Sequence, residues 1–126
     1  MPGSSEVFDC GVCSYANAVK HRLLGVREET LAAYGAVSPQ TAAEMAAGIR
    51  RLAGADIGLS VTGIAGPDGG TAEKPVGLVY LGVDSDKLTT VVELRTGGRR
   101  RDGREYIRYV ASSRCLKLLI DAASLY

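Results

Sequence analysis

Three groups of residues have types and spacings that could do chemistry. The first is Tyr15-Ala-Asn17-Ala-Val-Lys20. If Asn17 caps a helix here, Lys20 lies in its first turn, beside the positive end of the helix dipole. A second positive charge is disfavoured there, so the ammonium pKa falls, as a general base working near neutrality requires. A solvated lysine on a short helix is the plain alternative. The second group is the loop 63–75, GIAGPDGGTAEKP, which follows the apolar run Ile57–Thr62. Glycine-rich backbone at the carboxyl end of a strand is where layered α/β domains bind ligands. A long connecting loop accounts for the same residues. The loop has neither the Gly-Lys-Ser/Thr ending of a phosphate-binding P-loop nor a dinucleotide fingerprint. Thr62, at its mouth, could orient a substrate through its hydroxyl or satisfy a strand-end amide. The third group is Arg104 and Arg108, four apart and so on one helix face near its start. That arrangement makes either a phosphate clamp or a solvated basic helix start.

Cys10-Gly-Val-Cys13 has redox or zinc-knuckle spacing, but only Cys115 and His21 remain as further ligands. Residues three apart in a strand point to opposite faces, so two small buried apolar residues is the better reading. The third cysteine leaves an odd number, which excludes a complete disulfide framework. His21 is the sole histidine and reads as a surface residue. Neither a histidine-based triad nor a metal site is supported, and no cofactor is expected.

These groups need elements to hold them. Met1-Pro-Gly-Ser-Ser5 reads as a loop, residues 6–15 as a strand, and Asn17 to Leu24 as a helix stopped by Gly25. A short helix from Glu28 to Tyr34 ends at Gly35. Ser38-Pro39-Gln40-Thr41 is the clearest helix start: Ser38 can accept a free backbone N–H, and proline at the first helical position has none to waste. Ala42, Met45, Ala46, Ile49 and Leu52 then repeat on one face as far as Gly54. A strand over 57–62 and a hairpin of strands over 76–84 and 88–95 follow. The last helix is marked by Ile107, Ala111, Cys115, Leu118, Leu119 and Ala122. Mixed in this order, the elements predict one layered α/β domain spanning 1–126.

Length and composition agree with that reading. The chain has 126 residues, 46% of them hydrophobic and 23% charged, which suits one globular domain and not a disordered chain. Its net charge is +1, although residues 95–108 carry six arginines against Asp102 and Glu105, a local +4 on a remainder of −3. A basic patch on a neutral body suits a small anionic ligand and gives no general attraction to nucleic acid. No apolar run approaches the roughly 18–20 residues that span a bilayer, and no leader pattern opens the chain. The expectation is a cytoplasmic protein with no membrane partner.

Ser60-Val-Thr62-Gly-Ile-Ala-Gly-Pro67, followed by Lys74-Pro-Val-Gly77, strongly resembles the C-terminal domain of the competence/damage-inducible CinA family. The same domain stands alone as nicotinamide-nucleotide amidase. Supporting matches follow in order: Tyr15-x-Asn17-x-x-Lys20, Leu23-Leu-Gly-Val26, Tyr34-Gly-Ala-Val-Ser38, Gly54-Ala-Asp-Ile-Gly58 and Arg104-x-x-Ile-Arg108. The resemblance implies helices packed on a mixed β-sheet, assembly as homo-dimers or larger oligomers, and a nucleotide substrate. The implied reaction converts the carboxamide of nicotinamide mononucleotide to the acid and ammonia, without metal, by an acyl-enzyme route with a serine activated by lysine. By motif, Lys20 is the implied base, Tyr15 its hydrogen-bonding partner, and Thr62 an orienting or proton-relaying hydroxyl. Asn17, Gly63, Gly66 and Arg104 are implied substrate-binding residues.

The sequence departs from the family in three places. The family's Glu-Ser-Cys-Thr-Gly-Gly segment, which carries the nucleophile, has no counterpart, and Ser4 and Ser5 match the loop that follows it. The resemblance therefore begins one strand and one helix late, and the chain alone is expected not to hydrolyse the nucleotide. An open sheet edge, favouring oligomers or strand exchange, is expected with it. Cys10 and Cys13 stand where the family has glycine or small aliphatic residues. Arg99, Arg100 and Arg101, in a longer turn, compete with Arg104 for the phosphate. The alternative function is a non-catalytic module of the same fold, binding a nucleotide phosphate or serving oligomerisation.

Overall fold

A computed structural model describes residues 2–97 and 103–126. After a single 3₁₀ turn, Ser4–Glu6, come helices α1 (Asn17–Leu24), α2 (Glu28–Tyr34) and α3 (Pro39–Ala53). Strands β1 (Ile57–Gly63), β2 (Leu78–Ser85) and β3 (Thr89–Arg95) follow, then helix α4 (Gly103–Ala123). The three strands form one sheet in the order β1-β2-β3. Both pairings are antiparallel, running from Ile57↔Ser85 to Gly63↔Val79 and from Leu78↔Arg95 to Asp84↔Thr89. The layered α/β expectation holds. The mixed sheet does not appear among the described residues, whose strands are all antiparallel.

The two helices that sandwich the sheet meet it in different ways. α3 brings small residues to it, with Ala42 and Ala46 fully buried. Ser60 donates 2.6 Å to the carbonyl of Ala42. An added Cβ at Gly82 would stand 2.6 Å from that carbonyl, and one at Gly58 would overlap the carbonyl of Ala46. The backbones touch because glycine leaves room. α4 covers the opposite face with side chains: Ile107, Ala111 and Cys115 pack on Val79, Leu81 and Leu94 to form the main core. A smaller cluster of Leu24, Val26 and Met45 joins α1 to α3.

Local signals set the helix limits. Ser38 accepts the Thr41 amide at 3.1 Å, Pro39 occupies the first helical position, and Gly54 closes α3 in the left-handed region. Ser38 also donates to the carbonyl of Gly35 at 3.0 Å and is itself buried. Ser38→Ala is therefore expected to destabilise the fold by about 1–2 kcal/mol, more than an exposed cap would. Denaturant unfolding at constant m-value measures it.

Two expectations fail here. Residues 6–15 do not form a strand: beyond the Ser4–Glu6 turn they run without regular structure. The reason is the lack of a partner, because residues 9–13 make no backbone hydrogen bond to any described residue. Asn17 is not the cap of α1. Ala16 takes that place without a side-chain bond, and Asn17 is the first helical residue.

Candidate functional site

Lys20 is the one buried lysine among the described residues, 6% exposed. Its ammonium donates to the carbonyls of Ser14 and Tyr15, both at 3.1 Å, curling back over the chain that leads into α1. Burial strips water from the charge and lowers the pKa from its ordinary 10.5. The direction is the one read from the sequence, but burial is the cause. The hydroxyl of Ser14 lies buried beside this arrangement with no hydrogen-bond partner among the described residues. No sequence signal pointed to it.

Tyr15 meets Lys20 through its carbonyl, whereas its side chain is 87% exposed. Asn17, exposed at the start of α1, makes no side-chain hydrogen bond to described residues. His21 is half-exposed; its Nδ1 lies 2.7 Å from the carbonyl of Val26. Its role at that distance is to hold the turn after α1.

A second group assembles where β1 ends. Thr62 is 7% exposed and donates 2.7 Å to the carbonyl of Ala36. Its oxygen can still accept a proton or a hydrogen bond. The loop after it is tied down at several points. The Gly77 amide donates to Ile64 at 2.8 Å, the Lys74 ammonium donates to the carbonyl of Tyr34 at 2.5 Å, and Thr71 accepts the Lys74 amide at 3.0 Å. Gly66 lies at φ +72°, before a cis bond to Pro67, and an added Cβ would stand 2.5 Å from Val76. Glycine is required there on both counts.

Arg104, in the first turn of α4, donates 2.8 Å to the carbonyl of Gly66 and so fastens the helix start to the loop. Its other guanidinium N–H groups are not bonded to described residues, and the side chain is exposed. A guanidinium held at one corner and otherwise unbonded among the described residues suits a phosphate next to a helix N-terminus. The competing residues Arg99, Arg100 and Arg101 lie outside the described residues.

The structure thus joins Arg104 to Gly66 and Lys20 to Tyr15. No hydrogen bond links Lys20 to Thr62, Gly63, Gly66 or Arg104 among the described residues. Cys10 is half-buried and Cys13 exposed, which corrects the buried pair read from the sequence; Cys115 alone is buried, and burial pushes its thiol pKa up. No three metal-ligating side chains come together among the described residues. No helix of the described residues is long and apolar enough to cross a membrane.

Known proteins resemble this chain in sequence and fold. Residues 1–122 match the family described as the CinA C-terminal domain. A CinA-like protein of Desulfovibrio desulfuricans is 56% identical over 119 residues, 94% of this chain and 28% of its own length. The chain therefore spans little more than a quarter of that curated relative. The crystal structure of the competence/damage inducible protein CihA from Agrobacterium tumefaciens is 45% identical and superposes with a TM-score of 0.88. The match covers 96% of this chain and 72% of that one. A CinA superfamily protein from Escherichia coli is 29% identical with a TM-score of 0.75, over 84% of this chain and 59% of its own.

Proposed function

Because the chain belongs to the CinA C-terminal domain family, we propose that it forms the base-carrying and phosphate-binding part of a nicotinamide-nucleotide amidase site. The reaction is hydrolysis of the carboxamide of nicotinamide mononucleotide to nicotinic acid mononucleotide and ammonia. The observation that carries the reading is the buried amine of Lys20. A neutral amine has two N–H groups and one lone pair. The carbonyls of Ser14 and Tyr15 accept the two N–H groups, which leaves the lone pair as the free function of the nitrogen. Burial keeps a larger share of the amine neutral near pH 7, as proton abstraction from a hydroxyl needs.

The family resemblance implies a serine, outside the residues placed above, as the source of the attacking oxygen, and the other steps follow from the same groups. The activated oxygen attacks the carboxamide carbon, the C–N bond breaks, and the Lys20 ammonium returns its proton to the departing ammonia. Water then cleaves the ester, the same amine taking the water's proton and passing it to the departing serine oxygen. Thr62 orients the carboxamide or relays the proton through its free lone pairs. Gly63 and Gly66 let the substrate approach the backbone, Asn17 contributes at the opening of α1, and Arg104 binds the phosphate.

No serine or threonine hydroxyl among the described residues is hydrogen-bonded to Lys20. That observation favours the second reading for the chain by itself, nucleotide binding without turnover. Calorimetry with nicotinamide mononucleotide should show binding, and Arg104→Ala should weaken it about 10–100-fold, the worth of one charge-assisted contact. Absence of binding overturns the proposal. Ammonia released by the purified chain and lost in Lys20→Ala overturns the second reading and leaves the first.

A location in the cytoplasm and assembly as a homo-oligomer belong to the same proposal. Exposed Tyr109, Leu116 and Ile120 share one face of α4 and support assembly. Sedimentation of Ile120→Lys should then show a smaller species than the parent chain.

A further inference from the structure

Three consecutive carbonyls in the turn between α2 and α3 are each taken by a side chain. Thr62 donates to Ala36 at 2.7 Å, and Thr41 and Ser38 donate to Gly35 at 2.7 and 3.0 Å. Lys74 donates to Tyr34 at 2.5 Å. Tyr34 ends α2, so its carbonyl has no partner inside the helix and lies at the negative end of the helix dipole. A cation arriving from another segment suits both conditions. Lys74 is delivered there by a stiff piece of chain. The Thr71 hydroxyl accepts the Lys74 amide at 3.0 Å, and the Thr71 amide donates to the Lys74 carbonyl at 2.8 Å. Pro75 follows at once, and its carbonyl accepts the Leu78 amide at 3.0 Å. Under the ammonium, Gly35 lies at φ +77°, and an added Cβ there would stand 3.3 Å from Nζ. Lys74 is half-buried and enters no ion pair with a described residue, so its ammonium is committed to the Tyr34 carbonyl. A solvated surface lysine has no use for such support.

We propose that Lys74 is a positioning residue of the nucleotide site, a latch that holds the far end of loop 63–75 against the α2–α3 turn and so fixes Thr62. The inference rests on the nucleotide reading given above. Arg104 fastens the near end of the loop at Gly66, and Lys74 fastens the far end at Tyr34. Thr62 is bonded to the same turn, through Ala36. Loop, turn and hydroxyl thus move as one body while the latch is closed. Lys74 acts through Thr62 and is assigned no contact with the substrate. With the latch open, the turn and the loop can part, and the carboxamide end of the substrate loses its fixed hydroxyl. The phosphate end keeps Arg104, whose bond to Gly66 does not involve Lys74.

The test compares the full chain with Lys74→Met, which keeps the stem and removes the donor, and Lys74→Arg, which keeps a donor. Calorimetry uses two probes, nicotinamide mononucleotide and ribose 5-phosphate, and amide hydrogen exchange is followed alongside. Lys74→Met should weaken the mononucleotide about tenfold, the worth of one charge-assisted hydrogen bond, and ribose 5-phosphate by less than about twofold. Lys74→Arg should bring the mononucleotide back to within about threefold of the parent. The amides of Ile64 and Gly77 close the neck of the loop, donating to Leu78 and Ile64. Their exchange should rise at least about fivefold in Lys74→Met, while exchange at Leu81–Val83 in the middle of β2 stays as in the parent. Equal weakening of both probes overturns the inference, because the ammonium would then act on the phosphate as a charge. Unchanged affinity overturns it too, as does an arginine variant no better than methionine, or exchange that rises throughout the sheet. If the parent chain binds neither probe, the nucleotide reading fails and exchange alone decides the latch. Faster exchange at Ile64 and Gly77 then upholds it, and unchanged exchange there overturns it.

Discussion

Methionine in place of Lys20 is expected to lower carboxamide hydrolysis by about 10²–10⁴-fold in any preparation of this protein that turns the nucleotide over. Nucleotide affinity should stay within about threefold, because the proposed phosphate contact is that of Arg104, which is bonded to Gly66 and not to Lys20. A fall in kcat with unchanged binding is the result specific to a base; a folding defect would lower both. The pH profile supplies a second check. Activity carried by the neutral amine rises with pH and levels off at the pKa of Lys20, which burial lowers from 10.5. The acid limb should therefore end below that value.

The same titration acts on stability, with a definite sign. Between the lowered folded pKa and 10.5 the unfolded chain binds more protons than the folded one. Stability from this group therefore increases with pH across that window, by at most about 1.4 kcal/mol per pH unit. Below the folded pKa its contribution is flat. Cys115 acts in the opposite direction above pH 9, because its thiol pKa is raised from 9.0 on folding. The difference between the parent chain and Lys20→Met isolates the lysine, and its slope should be positive.

Helix limits were legible because they are written locally. Gly25, Gly35 and Gly54 end the first three helices, and Ser38 with Pro39 opens the third. The segment 6–15 was misread because strand composition states what a segment can do, whereas a strand also needs an edge to pair with. Within the candidate site the same division holds. The lowered pKa of Lys20 could be read from its place at a helix start, whereas its burial by the chain folding over it could not. The bonds from Thr62 to Ala36 and from Arg104 to Gly66 join residues 26 and 38 apart in sequence, and no periodicity records such meetings. The unpartnered hydroxyl of Ser14 was hidden for the same reason, since burial is a property of the fold.

The largest stability effect is expected at the middle of the sheet. Leu81 is 1% exposed on β2, the only strand among those described with a neighbour on each side, and belongs to the cluster with Val79, Leu94, Ile107, Ala111 and Cys115. Leu81→Ala removes apolar surface from the place where α4 is held to the sheet. The backbone pairing with Val61 and Val92 keeps the surroundings from collapsing into the space. An expected loss of about 2–5 kcal/mol follows, out of a total of about 5–15 kcal/mol for a domain of this size. At roughly 4 °C per kcal/mol, Tm should fall by about 8–20 °C. Arg114→Ala, on α4 but exposed, should change stability by less than about 0.5 kcal/mol. The comparison reaches the proposed function as well, because α4 carries Arg104 to the loop at Gly66. If the core on β2 holds that helix in place, Leu81→Ala should weaken nucleotide binding while the protein is still folded. Unchanged affinity well below the new Tm would mean that the Arg104–Gly66 bond alone keeps the helix start in position.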